Sequence, residues 1–185
     1  MDLTDYSEAV AAYAASHNNY LFHNRGNEHA LIIFSNIYRN AKSIIRIAAN
    51  SLCNTDLVDK YEYISAVKCF LDKPNTKLRM ILSHMDESQM NSSLFFFTLF
   101  THEAYKEDRI DIRYGNGKEF RKGGKTFHFC TTDSNMYRIE YDIQNRCARC
   151  NFGDESTTVK LENIFDAAFE SLPQIHLDQI FAERY

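Results

Sequence analysis

From Thr126 to Tyr141 apolar and polar positions alternate with a period of two. Phe127 and Phe129 interleave with His128 and Cys130, and after Thr132-Asp133-Ser134-Asn135, Tyr137, Ile139 and Tyr141 interleave with Met136, Arg138 and Glu140. A period of two marks a strand, and two such runs around a short polar turn predict a hairpin. Pairing the runs sets His128, Arg138 and Glu140 on one face of the sheet.

Elsewhere the pattern alternates between helical and strand periods. Thr4 is expected to cap a first helix through Asn18, with Tyr6, Val10, Tyr13 and Ala14 at helical spacing. Glu28 to Ala41 carries a broad apolar stripe and reads as a buried helix. Ser43 to Ala49 has the β-branched density of a central strand, and its polar end, Asn50 and Ser51, lies where an open α/β sheet places ligand-facing residues. A helix over Leu57 to Leu71 would be capped by Thr55 or Asp56 and stopped by Pro74. Lys77 to Ser83 and Ile110 to Tyr114 read as further strands, separated by a helical region from Ser88 to Glu107. Arg146 to Phe152 is expected at a sheet edge. A last helix, capped by Ser156 or Thr157, runs to Leu172. This order predicts an α/β fold: a mostly parallel mixed sheet flanked by helices and joined by right-handed crossovers. Residues 1–27 form an accessory N-terminal helix in this reading and 28–185 the α/β domain.

The helical region contains LFFFTLF, Leu94 to Phe100, which has no polar face. Such a segment is buried within the fold or against a second copy of it, so a homodimer is expected.

Composition narrows the class. The 185 residues suffice for one domain, and fourteen Phe and eleven Tyr against two Pro and six Gly argue against extended disorder. A net charge of −4 gives no general attraction to nucleic acid or anionic lipid. The five cysteines form no dense framework of the secreted kind, no apolar run is long enough to span a bilayer, and the acidic start lacks a leader's pattern, so a cytoplasmic protein without a membrane role is expected.

Positive charge concentrates in Gly115 to Lys125, which holds four of the six glycines with Lys118, Arg121, Lys122 and Lys125. This loop reads either as a solvated connection or as a phosphate contact. It lacks the spacing of a nucleotide-binding loop. Cys147-Ala-Arg-Cys150 has the gap of a metal pair but no second pair, so no metal and no cofactor are expected. His102, on the apolar helix, reads as a satisfied structural residue. His84 and Asp86 end a strand but stand alone.

His128 is the strongest chemical candidate: an imidazole on a sheet face can attack phosphorus or move a proton. Arg138 would hold a phosphoryl oxygen, and Glu140 would orient the imidazole or pair with Arg138. The competing reading is a purely structural His-Arg-Glu network.

These residues resemble one half of the phospholipase D-like superfamily. That family presents HxK, four residues, Asp, and later Gly-Ser-x-Asn, and two such halves face each other at one phosphodiester-cleaving site. The resemblance covers Glu28 to Leu172 in element order and Thr126 to Phe152 in motif. It puts the family's nucleophilic histidine on His128, its lysine on Cys130, its aspartate on Asn135 with Asp133 close by, its glycine and serine on Asp142 and Ile143, and its asparagine on Asn145. The histidine and one asparagine are kept, while the lysine and the hydroxyl are lost. The resemblance therefore implies a catalytically degenerate homodimeric module that holds a phosphate backbone or a partner protein, with phage defence as a setting. The alternative is an active metal-independent phosphodiesterase or nuclease using His128 from two subunits with Arg138, Glu140 and Asn145.

Overall fold

The computed structural model describes residues 2–115, 118–122 and 125–182, the side chains of Glu119, Lys122 and Lys125 excepted. In chain order its elements are α1 (Leu3–Ala15), β1 (Phe22–Arg25), α2 (Gly26–Asn40), β2 (Ile44–Ala49), α3 (Tyr61–Leu71), β3 (Lys77–Leu82), α4 (Glu87–Ser92), α5 (Leu94–Thr101), α6 (Glu103–Lys106) and β4 (Ile110–Tyr114). The short pair β5 (Arg121–Lys122) and β6 (Lys125–Thr126) follows, then β7 (His128–Thr132), β8 (Met136–Asp142), β9 (Cys147–Asn151), α7 (Glu155–Phe169) and α8 (Leu177–Phe181).

Seven strands form one mixed sheet in the order β1-β9-β8-β7-β2-β3-β4. The α/β architecture expected from the pattern is present, and its parallel part is β2, β3 and β4. Each parallel step needs a long crossover, supplied by α3 and by the α4–α6 segment. The other four pairings are antiparallel, because short turns return the chain from β7 to β8 and from β8 to β9.

Several boundaries differ from the pattern-based reading, each for a local reason. Asp2, not Thr4, caps α1: its carboxylate accepts from the Asp5 N–H at 2.9 Å. Asp154, not Ser156 or Thr157, caps α7 by accepting from the Thr157 N–H at 3.0 Å. α3 begins only at Tyr61, because Leu57 and Val58 both donate to the Asn54 carbonyl, at 2.9 Å, in a preceding turn. The region 88–107 is three helices, broken where Ser93 and His102 take extended backbone, ψ 130° and 140°. β1 was not anticipated. It pairs with β9 and moves that strand from the edge into the interior.

Two hydrophobic clusters sandwich the sheet. One face packs Ile45, Ile47, Leu78, Met80 and Ile112 against helices α1 to α6 and α8. The other packs Ala48, Ile81, Phe129, Tyr137 and Ile139 under α7 through Leu161, Phe165 and Phe169. On α5, Phe95, Phe96 and Leu99 are fully buried, while Phe97 and Phe100 lie 5.8 and 5.0 Å from the Phe181 ring of α8. Most of the apolar helix is thus covered by its own chain, Leu94 at 49% exposure excepted, which weakens it as the reason to expect a second copy. Among the described residues no helix is long and apolar enough to cross a membrane.

Candidate phosphate site

The register of the hairpin decides the site. His128 lies directly opposite Glu140, and Cys130 directly opposite Arg138, so the three polar side chains occupy neighbouring rungs on the face beneath α2. The turn between the strands uses Asp133 and Ser134 at φ 53° and 59°. Asp133 fixes it to the start of β2 by accepting from the Lys42 N–H at 2.7 Å and from the Ser43 N–H and hydroxyl at 3.0 and 2.7 Å. Of the two residues nearest the family's aspartate position, Asp133 is therefore the structural one.

His128 Nδ1 sits 3.2 Å from Glu140 Oε2, and Arg138 Nη2 donates to Glu140 Oε1 at 3.1 Å. The side chains are 14%, 5% and 4% exposed for His128, Glu140 and Arg138, so only the imidazole reaches open space. Burial by itself would raise the Glu140 pKa, but the hydrogen bond from His128 and the Arg138 guanidinium outweigh it and hold the carboxyl below its usual range. An ionised carboxylate only accepts, so Nδ1 carries the proton of this contact and Nε2 is the ring nitrogen left free of it.

The Arg138 guanidinium lies 4.9 Å over the Phe34 ring, and its Nε has no partner. Cys130 and Cys150 are its rung neighbours on either side. Burial pushes both thiols up to about 12, so neither competes with Glu140 as an anion.

Beside His128 lies a cavity of about 150 Å³. The hairpin contributes His128, Arg138 and Glu140, and the β8–β9 turn contributes Ile143 and Arg146. Asn50, Ser51, Cys53 and Asn54, just past the carboxyl end of β2, line the cavity as well. Asn50 and Ser51 stand where the open-sheet rule placed ligand-facing residues. The Asn54 side-chain Nδ2 is buried without a partner. Leu52 and Arg146, both in the lining, have positive φ, 53° and 54°. A leucine held there costs roughly 1–3 kcal/mol, which surrounding packing must sustain.

Not every expected residue meets at this cavity. Asn145 sits in the β8–β9 turn, exposed, where its Nδ2 donates to Asp142 Oδ2 at 2.8 Å, and it does not line the wall. Lys118 and Arg121 are exposed and likewise outside the lining. The side chains of Lys122 and Lys125 lie outside the described residues. Cys147 and Cys150, three apart on one strand, point to opposite faces. His102 is engaged structurally: Nδ1 accepts from the Ala104 N–H at 3.1 Å and Nε2 lies 3.2 Å from Asp72. Asp86 caps α4 through the Gln89 N–H at 3.0 Å.

Asn54 and Arg146 escaped the sequence reading. Extending the strand-end rule four residues past Asn50 would have found Asn54. Nothing in linear spacing distinguished Arg146 from the neighbouring Asn145.

Geometry and topology together define the class: the chain has the phospholipase D-like fold. It is similar to a phospholipase D family member, Nuc from Salmonella typhimurium, with a TM-score of 0.55 and 11% identity over 86% of this chain and 99% of Nuc. NucT from Helicobacter pylori gives 0.54 and 12% over 84% of this chain and all of NucT, 100%. TrmBL2, described as an archaeal chromatin protein with a novel mode of DNA binding, gives 0.58 and 11% over 93% of this chain. The chain spans 62% of TrmBL2, less than two thirds of its length. No protein-family model matches the sequence, and no curated protein is similar to it.

Proposed function

We propose that this chain is a phosphate-recognising module in which the His128 cavity holds a phosphoryl group of a nucleic-acid backbone, with two copies of the chain acting together. The observation that carries the reading is the unpartnered, buried Nδ2 of Asn54, a residue that lines the same cavity as His128 and Arg146. A phosphoryl oxygen is the ligand such donors fit: the cavity is lined by an amide and by a guanidinium, and the one carboxylate in the lining is already paired with Arg138. The DNA binding ascribed to TrmBL2 supports nucleic acid as the source of that phosphate. The dimer rests on the single motif per chain, since the resembling family builds one site from two halves. A cytoplasmic setting agrees with five free thiols.

Loss of the full cleavage set is part of the same reading. Where the family has a lysine ammonium the chain has the neutral, buried Cys130 thiol, and the cation across the ladder, Arg138, is bound to Glu140. A phosphodiester transition state gathers charge, and without a free cation at that rung its stabilisation falls. The test is fluorescence anisotropy with labelled single-stranded and duplex DNA and RNA at low and physiological salt. Binding that weakens with salt, and weakens further in Asn54→Ala and Arg146→Gln, is expected. No binding to any of these at low salt would overturn the reading.

One observation favours a second reading, cleavage. Glu140 orients His128 as it would orient a nucleophile. In that reaction Nε2 attacks phosphorus, an N–P bond forms, and the P–O bond to the leaving oxygen breaks. That oxygen takes a proton from the protonated His128 of the second copy, and water then displaces the imidazole. Hydrolysis of bis(p-nitrophenyl) phosphate in the presence of a chelator tests it: turnover should vanish in His128→Ala, and equal turnover by both proteins ends the cleavage reading.

A further inference from the structure

On the sheet face opposite His128 lies a second, larger cleft, of about 390 Å³, lined by α7, by strands β8 and β9 and by Thr126 and Phe127. Ile139, Tyr141, Phe127, Leu161 and Ile164 make its apolar surface, and Arg149 and Lys160 stand on its rim. Tyr141 and Ile164 are 50% and 44% exposed, so two of the large apolar side chains left in solvent converge on one place. Scattered singly they would need no explanation; gathered around a cleft within the small-molecule range of about 300–1,000 Å³, they do. Alternation along β8 is the cause: Glu140 faces the phosphate cavity, and its neighbours Ile139 and Tyr141 face this cleft.

Charge selects the occupant. Among the described residues no carboxylate lines the cleft, although the chain as a whole is acidic, at −4. Asp154 lies within electrostatic reach of Lys160, but it is committed to capping α7 and to Tyr137. Arg149 and Lys160 are both exposed. We infer that the cleft binds a free medium-chain fatty carboxylate, its chain along Ile139, Leu161 and Ile164 and its head group between Arg149 and Lys160. This is independent of the phosphate reading, since no residue is shared between the two cavities.

The probes are decanoate and decanol, below micellar concentration, titrated into the full chain by calorimetry and by amide NMR. Decanoate should bind saturably, with shifts concentrated at Phe127, Ile139, Tyr141, Leu161 and Ile164. The double variant Arg149→Gln, Lys160→Gln should weaken decanoate about tenfold while leaving decanol unchanged, because it removes only the charge-assisted contacts. Ile164→Asp should weaken both probes. An unchanged NMR fold signature in each variant keeps the comparison valid. Absence of saturable decanoate binding, shifts centred elsewhere, equal response of the two probes to the double variant, or binding of an acidic aromatic peptide in place of decanoate would each overturn the inference.

Discussion

The two faces of the β7–β8 hairpin solve one packing problem in opposite ways. Phe129, Tyr137 and Ile139 cover one face, and α7 seals it with stacked Phe165 and Phe169 rings 5.3 Å apart. The other face buries Arg138 and Glu140 almost as completely, at 4% and 5% side-chain exposure, under Phe34 of α2. The apolar face is stabilised by removal of surface from water, which is tolerant of shape and indifferent to pH. The polar face is stable only while each charge keeps its partner, because desolvation of either ion alone exceeds what packing returns. A buried ion pair contributes little to stability over an apolar pair of the same volume. Its presence here is explained by what it does for the third member, holding His128 with one nitrogen occupied and the other facing the cavity.

The largest expected effects separate these two accounts. Arg138→Ala leaves Glu140 buried without its cation and should cost about 3–5 kcal/mol in denaturant unfolding. Phe165→Ala opens a cavity on the opposite face and should cost a similar amount, about 3–5 kcal/mol. The distinguishing measurement is rescue. Adding Glu140→Leu to Arg138→Met should restore most of the stability, since neither charge is then left alone, while costing whatever His128 contributes to phosphate binding. If the double variant is no more stable than Arg138→Met, the network is held by geometry other than the ion pair.

How far this arrangement was legible in the sequence depended on whether it was local. Alternation fixed the hairpin, its turn and the common face of His128, Arg138 and Glu140, because the side-chain period of a strand is a property of consecutive residues. The long central elements were legible for the same reason. β1 was not: Phe22–Arg25 is four residues with a buried Asn24, and it is a strand only because β9 offers an unpaired edge. The partner of α5 was equally hidden, since Phe181 meets Phe97 and Phe100 from about eighty positions away. In the site, the contributions of the hairpin and of Asn50 and Ser51 were readable, and those of Asn54 and Arg146 were not. Asn54 and Arg146 reach the cavity through backbone turns at Leu52 and Arg146 whose positive φ no residue type announced.

A smaller effect tests how the hairpin is aimed. Asp133 ties the turn to Lys42 and Ser43 through three hydrogen bonds, and Asp133→Ala removes all of them at a partly exposed position. The expected loss is about 1–2 kcal/mol. It should fall on both faces equally, so stability drops without a selective change in phosphate binding. A variant that loses binding but keeps its stability would instead place the turn in the site.

The finest discrimination is in the pH dependence of stability, to which Glu140 of the polar face should contribute. Glu140 is held below the usual carboxylate range, against the effect of its burial, by the His128 hydrogen bond and the Arg138 guanidinium. Because its folded pKa lies below its unfolded value, about 4.3, the unfolded state takes up the proton first as pH falls. The stabilisation is therefore fully present above the unfolded pKa and is lost as pH falls through the folded one. Glu140→Gln should flatten the unfolding free energy across that acidic window relative to wild type. Asp154, whose carboxyl is also held low by the α7 N–H groups despite its burial, contributes to the same window, so Asp154→Asn provides the comparison. Phe165→Ala, a lesion of the apolar face, should lower the whole curve without changing its slope. A parallel displacement for Glu140→Gln as well would mean that Glu140 is neutral in the fold, and that its hold on the His128 tautomer is not ionic.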